Sequence, residues 1–289
     1  MRWAISLLAA AALISCSSKS ASIDPAYVSE LQQWRDNREA RLKAPDGWLT
    51  LVGLFWINEG TSTIGSDPSS DVPLPASLPK QVGTINLKDK EARFTPARGI
   101  GLKPAILIDD NQPNFAPSSL GSVSFYLIER GGRYGIRVKD TQSPARTNFA
   151  GLDWYPPDPD WKVEAKLLPS PHKVTFDTEV GVKQESDSPG YLEFDHAGQH
   201  YRVEPVIEDN ELFLVLRDAT SGKTTYAASR FLYASLPDAQ GRTSLDFNKS
   251  YNPPCVFTAY ATCPLPPQQN RLTTPIEAGE KKYRGHVVN

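Results

Sequence analysis

The sequence predicts a mainly β protein, built of antiparallel sandwich- or barrel-like sheets and led by one N-terminal amphipathic helix. Three observations carry that reading. From about residue 48 onward, apolar and polar residues alternate over short runs, which is the period of a half-buried strand. Turn residues separate those runs, and 25 Pro and 19 Gly in 289 residues disfavour long helices and an α-bundle. The one stretch with helical spacing lies near the start, where Tyr27, Leu31, Trp34 and Arg38 recur, with Leu42 at its end.

Asp24-Pro25 reads as an N-cap followed by proline in the first helical turn. The helix is expected over about 25–42 within a segment 24–44, stopping before Pro45, with its apolar stripe packed on the β body. Trp48–Val52 opens the first strand and Gly65-Ser66-Asp67-Pro68 is a turn. Val82–Leu87 and Ala92–Phe94 are short strands, and Val123–Ile128 and Tyr134–Val138 flank a hairpin turn at Gly131-Gly132. These form an N-terminal β part, 45–150. Trp154–Trp161 is a loop by composition and the natural place to divide the chain.

The C-terminal part, 151–289, is a meander closed by a Pro- and Asn-rich loop and packed with the first part as one unit. Tyr191–Phe194 turns at Ala197-Gly198 into Tyr201–Val203. Val206-Ile207 then turns at Asp209-Asn210 into Leu212–Leu216, a run apolar on both faces and therefore a central strand. Asp218–Gly222 turns into a strand at Thr224–Tyr226.

Composition excludes several function classes. With 31 Lys+Arg against 33 Asp+Glu the chain is nearly charge-balanced, and no basic stripe interleaved with aromatics stands out, so no nucleic-acid partner is expected. No G-x-S-x-G elbow, zincin motif or P-loop is present, and no cofactor is implied.

The first residues carry an address. Arg2 precedes about a dozen apolar residues, too few to span a bilayer, so residues 1–15 read as a signal peptide. Leu13-Ile14-Ser15-Cys16 resembles the lipobox of bacterial lipoproteins, and the resemblance makes Cys16 the acylated first residue of the exported chain. Residues 16–23 then form a lipidated tether. Ser rather than Asp at position 17 implies, by the same resemblance, an outer-membrane protein facing the periplasm in a Gram-negative host, attached to the membrane through its lipid.

Cys255 and Cys263 remain, and an oxidising compartment favours a disulfide between them over two buried free thiols. His196 and His200 fall in a hairpin turn that would not align their imidazoles, so no metal site is expected and both read as exposed turn residues.

Three clusters hold more polar functionality than a fold requires. Arg137 and Lys139 share one strand face, with Arg146 nearby; two converging cations suit a carboxylate or phosphate, and a solvated strand face is the alternative. Arg217–Tyr226 with Arg230 is either a second site or a capped turn. The closing loop carries Asp246, Asn248, Tyr251, Asn252, Asn270 and Glu280, as a site or as a wrapped structural segment.

Gly47-Trp48-Leu49-Thr50-Leu51-Val52-Gly53-Leu54-Phe55-Trp56, the middle string Gly135–Asp140, and the closing strings Asp246-Phe247-Asn248, Cys263–Pro267, Asn270-Arg271-Leu272 and Ala278-Gly279-Glu280 together resemble the family known as domain of unknown function 1684. The resemblance spans most of 25–283 and implies no activity. Ile64–Pro75 with Val82-Gly83 is similar to the start of a forkhead-associated sandwich, but Ser66 stands where those domains place a phosphate-binding arginine.

Two functions of different kind stay open. One is a lipid-anchored module that binds a small anionic molecule or an envelope protein. The other is a cofactor-free hydrolase, which requires the arginines, Asp246, Tyr251, Asn252 and Glu280 to converge in one pocket.

Overall fold

A computed structural model describes residues 23–285. The signal segment, Cys16 and most of the tether lie outside the described residues.

Helix α1 spans Pro25–Lys43. The Asp24 carboxylate accepts the Ala26 N–H at 2.9 Å, satisfying one of the donors a helix start leaves open. At the other end, Arg146 Nε donates to the Lys43 carbonyl at 2.8 Å. The buried face of α1 is narrow and partly charged, consisting of Leu31, Arg35 and Leu42. Arg35 therefore needs a buried acceptor, and its guanidinium donates to the Tyr155 carbonyl at 3.0 Å.

The remainder is antiparallel β structure with one short parallel pairing. In the N-terminal part, β1 (Leu51–Ile57), β2 (Gly60–Gly65), β3 (Val72–Pro73), β4 (Gly83–Lys88), β5 (Glu91–Pro96), β6 (Ala105–Leu107), β7 (Ser118–Leu120), β8 (Val123–Arg130) and β9 (Arg133–Asp140) form two sheets, ordered β1-β9-β8-β7 and β3-β2-β4-β5-β6. Both contribute to one core around Ile64, Ile85, Phe94, Phe125 and Ile136. Phe94 meets Phe125 edge-on at 5.2 Å, so the aromatic pair links the two sheets. Gly131 and Gly132, at φ of 57° and 79°, supply the left-handed turn that the β8–β9 hairpin requires.

The short helix α2 (Pro144–Thr147) ends the N-terminal part, and the C-terminal part holds β10 (Lys162–Asp177), β11 (Lys183–His196), β12 (Gln199–Val203), β13 (Val206–Glu208), β14 (Glu211–Leu216), β15 (Arg230–Ala234) and β16 (Arg242–Asp246). These form sheets ordered β12-β11-β10-β16 and β13-β14-β15. Strand β14 is the centre of its sheet, and all of Leu212–Leu216 is buried. Leu212, Leu214 and Leu216 pack with Phe194, Leu232 and Phe247 on one face. Phe213 and Val215 pack with Phe176, Phe231 and Cys263 on the other. Each such side chain contributes roughly 1.5–3 kcal/mol on burial. This second face of β14 also forms one wall of a cleft beside α1.

Several local expectations need correction. Trp48–Thr50 is a 3₁₀ turn, and the strand begins at Leu51. Thr224–Tyr226 is no strand: the Thr220 carbonyl accepts the N–H groups of Lys223, Thr224 and Thr225, which coils the segment. His196 is not exposed, since its ring stacks on Trp161 at 3.8 Å. His200 does remain at the surface, paired with Asp195 at 2.8 Å.

Candidate functional site: an aromatic cleft between the helix and the two β parts

The last turns of α1, the β8–β9 hairpin, the β13–β14 hairpin and the closing loop enclose a cleft of about 720 Å³. Its wall is aromatic because β14 and β15 place alternate side chains on the same face. Phe213 lies 4.9 Å from Phe231 and stacks on Tyr233 at 4.7 Å. Tyr233 is parallel to Tyr251 within 10° at 6.4 Å, and Trp34 of α1 continues the row 6.3 Å from Tyr251. Trp48 and Phe176 complete the lining. Burial pushes both the Tyr233 and Tyr251 hydroxyls far above the usual phenol range, so they stay protonated.

Charge is distributed unevenly around this wall. Arg38 and Arg41 enter from α1 and Arg130 from the end of β8. The facing lip is the β13–β14 turn, where Asp209 and Asn210 adopt φ of 49° and 63° and Glu208, Asp209 and Glu211 border the cleft. Glu208 keeps solvent contact, yet the crowding around its carboxyl raises it above the usual range, and the Tyr233 hydroxyl, donating at 3.0 Å, partly offsets this.

Behind Tyr251 is a buried polar shell. The Arg38 guanidinium lies 4.5 Å from the Tyr251 ring centre, donates to the Asn252 carbonyl at 2.8 Å and reaches Glu280 at 3.4 Å. Glu280 is wholly buried and accepts from Asn252 Nδ2 at 2.6 Å. Burial raises the Glu280 carboxyl; Arg38 and Asn252 act against it.

On the N-terminal side, Arg130 and Arg137 share one carboxylate. Asp110 accepts from Arg130 at 2.9 and 3.0 Å and from Arg137 at 3.0 Å. Arg137 and Lys139 do lie side by side, 5.4 and 5.9 Å from the Trp48 ring. Lys139 donates to the Asp46 carbonyl, and burial together with Arg137 lowers its pKa.

The ten residues singled out in the sequence do not share one pocket. Tyr251 lines the cleft, with Asn252 and Glu280 directly behind it. Arg137 and Lys139 lie behind Trp48. Arg146 holds the end of α1 and donates to the Thr141 carbonyl at 2.8 Å. Arg230 is buried against Asp218 at 3.0 Å. Asp246 accepts the Tyr27 hydroxyl at 2.9 Å, Asn248 bonds both the N–H and C=O of Asp158, and Asn270 ties Glu204 to Val215. The convergence that a hydrolase reading requires is therefore absent among these residues. Arg38, Glu208 and Tyr233 are not among them: Arg38 belongs to the helical stripe of α1, and nothing local in the sequence sets Glu208 or Tyr233 apart.

Cys255 and Cys263 are free thiols, not a disulfide. They are neighbours nonetheless, the Cys255 N–H donating to Cys263 Sγ at 3.2 Å. The Cys263 sulfur and burial push the Cys255 thiol up. Among the described residues, no group of three or more His, Cys, Asp or Glu could hold a metal ion, and no helix is long and apolar enough to cross a membrane.

Residues 147–281 match the model of a family described as protein of unknown function (DUF1684). That segment holds the closing strings, whereas Gly47–Trp56 and Gly135–Asp140 precede it. No curated protein matches the chain. A solution NMR structure of the uncharacterized protein from gene locus rrnAC0354 of Haloarcula marismortui is similar at 32% identity, with a TM-score of 0.41, over 49% of this chain and 81% of that one.

Proposed function

We propose that the chain is a lipid-anchored envelope protein whose β body binds a small organic molecule in the aromatic cleft. The observation that carries the reading is the cleft itself. Its volume of about 720 Å³ falls within the roughly 300–1,000 Å³ of small-molecule sites, and it joins an apolar aromatic wall to a few charged groups at the rim. The rim arginines suit an anionic group on the ligand, and the rings suit a planar or apolar body. An envelope protein as partner is the second occupant this reading allows.

The lipobox-like segment Leu13–Cys16 supports this reading, with acyl groups on Cys16 and the body held to the outer membrane in the periplasm of a Gram-negative host.

Two measurements test the proposal. Metabolic labelling with palmitate marks the wild type and not Cys16→Ser; label in both excludes the anchor. Thermal melting with a small-molecule extract of the envelope raises Tm by a few degrees, as expected for a ligand well above its Kd. Thr262→Trp, which fills the cleft, abolishes that rise. An equal rise in the variant excludes the cleft.

A further inference from the structure

We infer that the cleft selects a small zwitterion, with its cationic end at the Glu208 lip and its acidic end at the Arg38–Arg41 side. The inference rests on the cleft being a binding site and adds the class of molecule it takes.

Three features of the cleft point the same way. The first is separation of charge. Glu208, Asp209 and Glu211 stand on one lip. Among the described residues none of the three enters an ion pair. Arg41, on the facing side, enters none either, and Arg38 uses Nε and one Nη, leaving the other Nη without a hydrogen-bond partner. The acidic lip and the arginines of α1 therefore line one cleft without pairing with each other.

The second feature is scale. The Tyr233 hydroxyl donates to Glu208 at 3.0 Å, the Tyr233 and Tyr251 ring centres are 6.4 Å apart, and the Arg38 guanidinium carbon lies 4.5 Å from the Tyr251 ring centre, a chain of contacts on the scale of a small molecule.

The third is the surface between them. Tyr233 and Tyr251 present parallel rings along the line from Glu208 to Arg38. Aromatic faces beside a carboxylate favour an ammonium group, while a guanidinium favours a carboxylate or phosphate. A neutral ligand would leave both lips desolvated without compensation.

The test uses four probes with one benzyl body: 4-(aminomethyl)benzoate, benzylamine, benzoate and benzyl alcohol. The full chain, purified in a non-ionic detergent, is titrated by its tryptophan fluorescence, to which Trp34 and Trp48 in the cleft contribute. The zwitterion is expected to bind at least about tenfold more tightly than either singly charged probe. Glu208→Gln brings it down to the level of benzoate, and Arg41→Gln to that of benzylamine. Both positions are exposed, so folding is not at stake, and an unchanged melting curve verifies it. Four probes of equal affinity, all blocked by Thr262→Trp, overturn the zwitterion and leave the cleft as a site. Affinities unmoved by either substitution also overturn it. If no probe binds at millimolar concentration, both the inference and the cleft reading fail.

Discussion

Arg38 holds its guanidinium carbon 4.5 Å from the centre of the Tyr251 ring, and in doing so joins helix α1 to the wall of the cleft. The same group donates to the Asn252 carbonyl and reaches the buried Glu280. The shape of the cleft is thus coupled to the docking of α1, and removing the guanidinium affects both. Arg38→Ala is expected to cost about 2–3 kcal/mol in urea unfolding, since it leaves a buried carboxylate without its cation. An unchanged midpoint would mean that the other contacts of α1, among them buried Leu31 and Leu42 and the Arg35 bond to the Tyr155 carbonyl, hold the helix without Arg38.

Glu280 gives stability a defined pH dependence. Its carboxyl is raised above the ordinary value of 4.5, with burial as the largest cause. The folded state therefore holds the proton more tightly than the unfolded chain does. The resulting stabilisation is complete below about pH 4.5 and disappears as pH rises through the folded-state value. Glu280→Gln removes this term, so wild type minus variant should decline over that interval. Parallel stability curves from pH 4 to 8 would contradict it.

The Asp218–Arg230 pair is structural. Both side chains are almost fully buried. Asp218 also accepts from the Thr220 N–H at 2.8 Å and hydroxyl at 2.6 Å and from the Ile276 N–H at 3.2 Å, while Arg230 donates to the Ile276 and Ala278 carbonyls. Asp218→Ala strands a buried guanidinium and should lower unfolding free energy by about 3–5 kcal/mol. A loss below about 1 kcal/mol would place the pair in contact with water.

Gly279 is required by both conformation and space. Its φ is 79°, and a Cβ there would lie 2.4 Å from the Ser250 carbonyl oxygen. Gly279→Ala should shift the melting point downward by several degrees, consistent with backbone strain of about 1–3 kcal/mol. Gly132→Ala, with open space around it, serves as the milder control.

Local chemistry made much of the fold readable in advance. The Asp24-Pro25 cap, the Gly131-Gly132 turn and the doubly apolar Leu212–Leu216 run each declare their structure within a few residues. Strand β10 did not. Its Pro169 and Pro171 look like breakers, yet the ladder with β11 shifts register between Pro169 and His172, so the prolines sit where regular pairing is interrupted. Thr224–Tyr226 has strand-like residues, but hydrogen bonds to Thr220 win over propensity. The candidate site was still less readable. Tyr251 and Glu280 stood out for lying in a long polar loop, whereas Arg38, Glu208 and Tyr233 meet only after α1, β13 and β15 pack. Buried Arg230 and Asn270 show the converse: a polar residue in a loop can be fully occupied with holding backbone groups.

The most direct test of a ligand-binding cleft is a crystal structure of the protein purified from its own envelope and incubated with envelope extract. The prediction is continuous density for a small organic molecule against the Tyr233 and Tyr251 rings, flanked by Glu208 and Arg41. A cleft holding only water under those conditions would contradict the account.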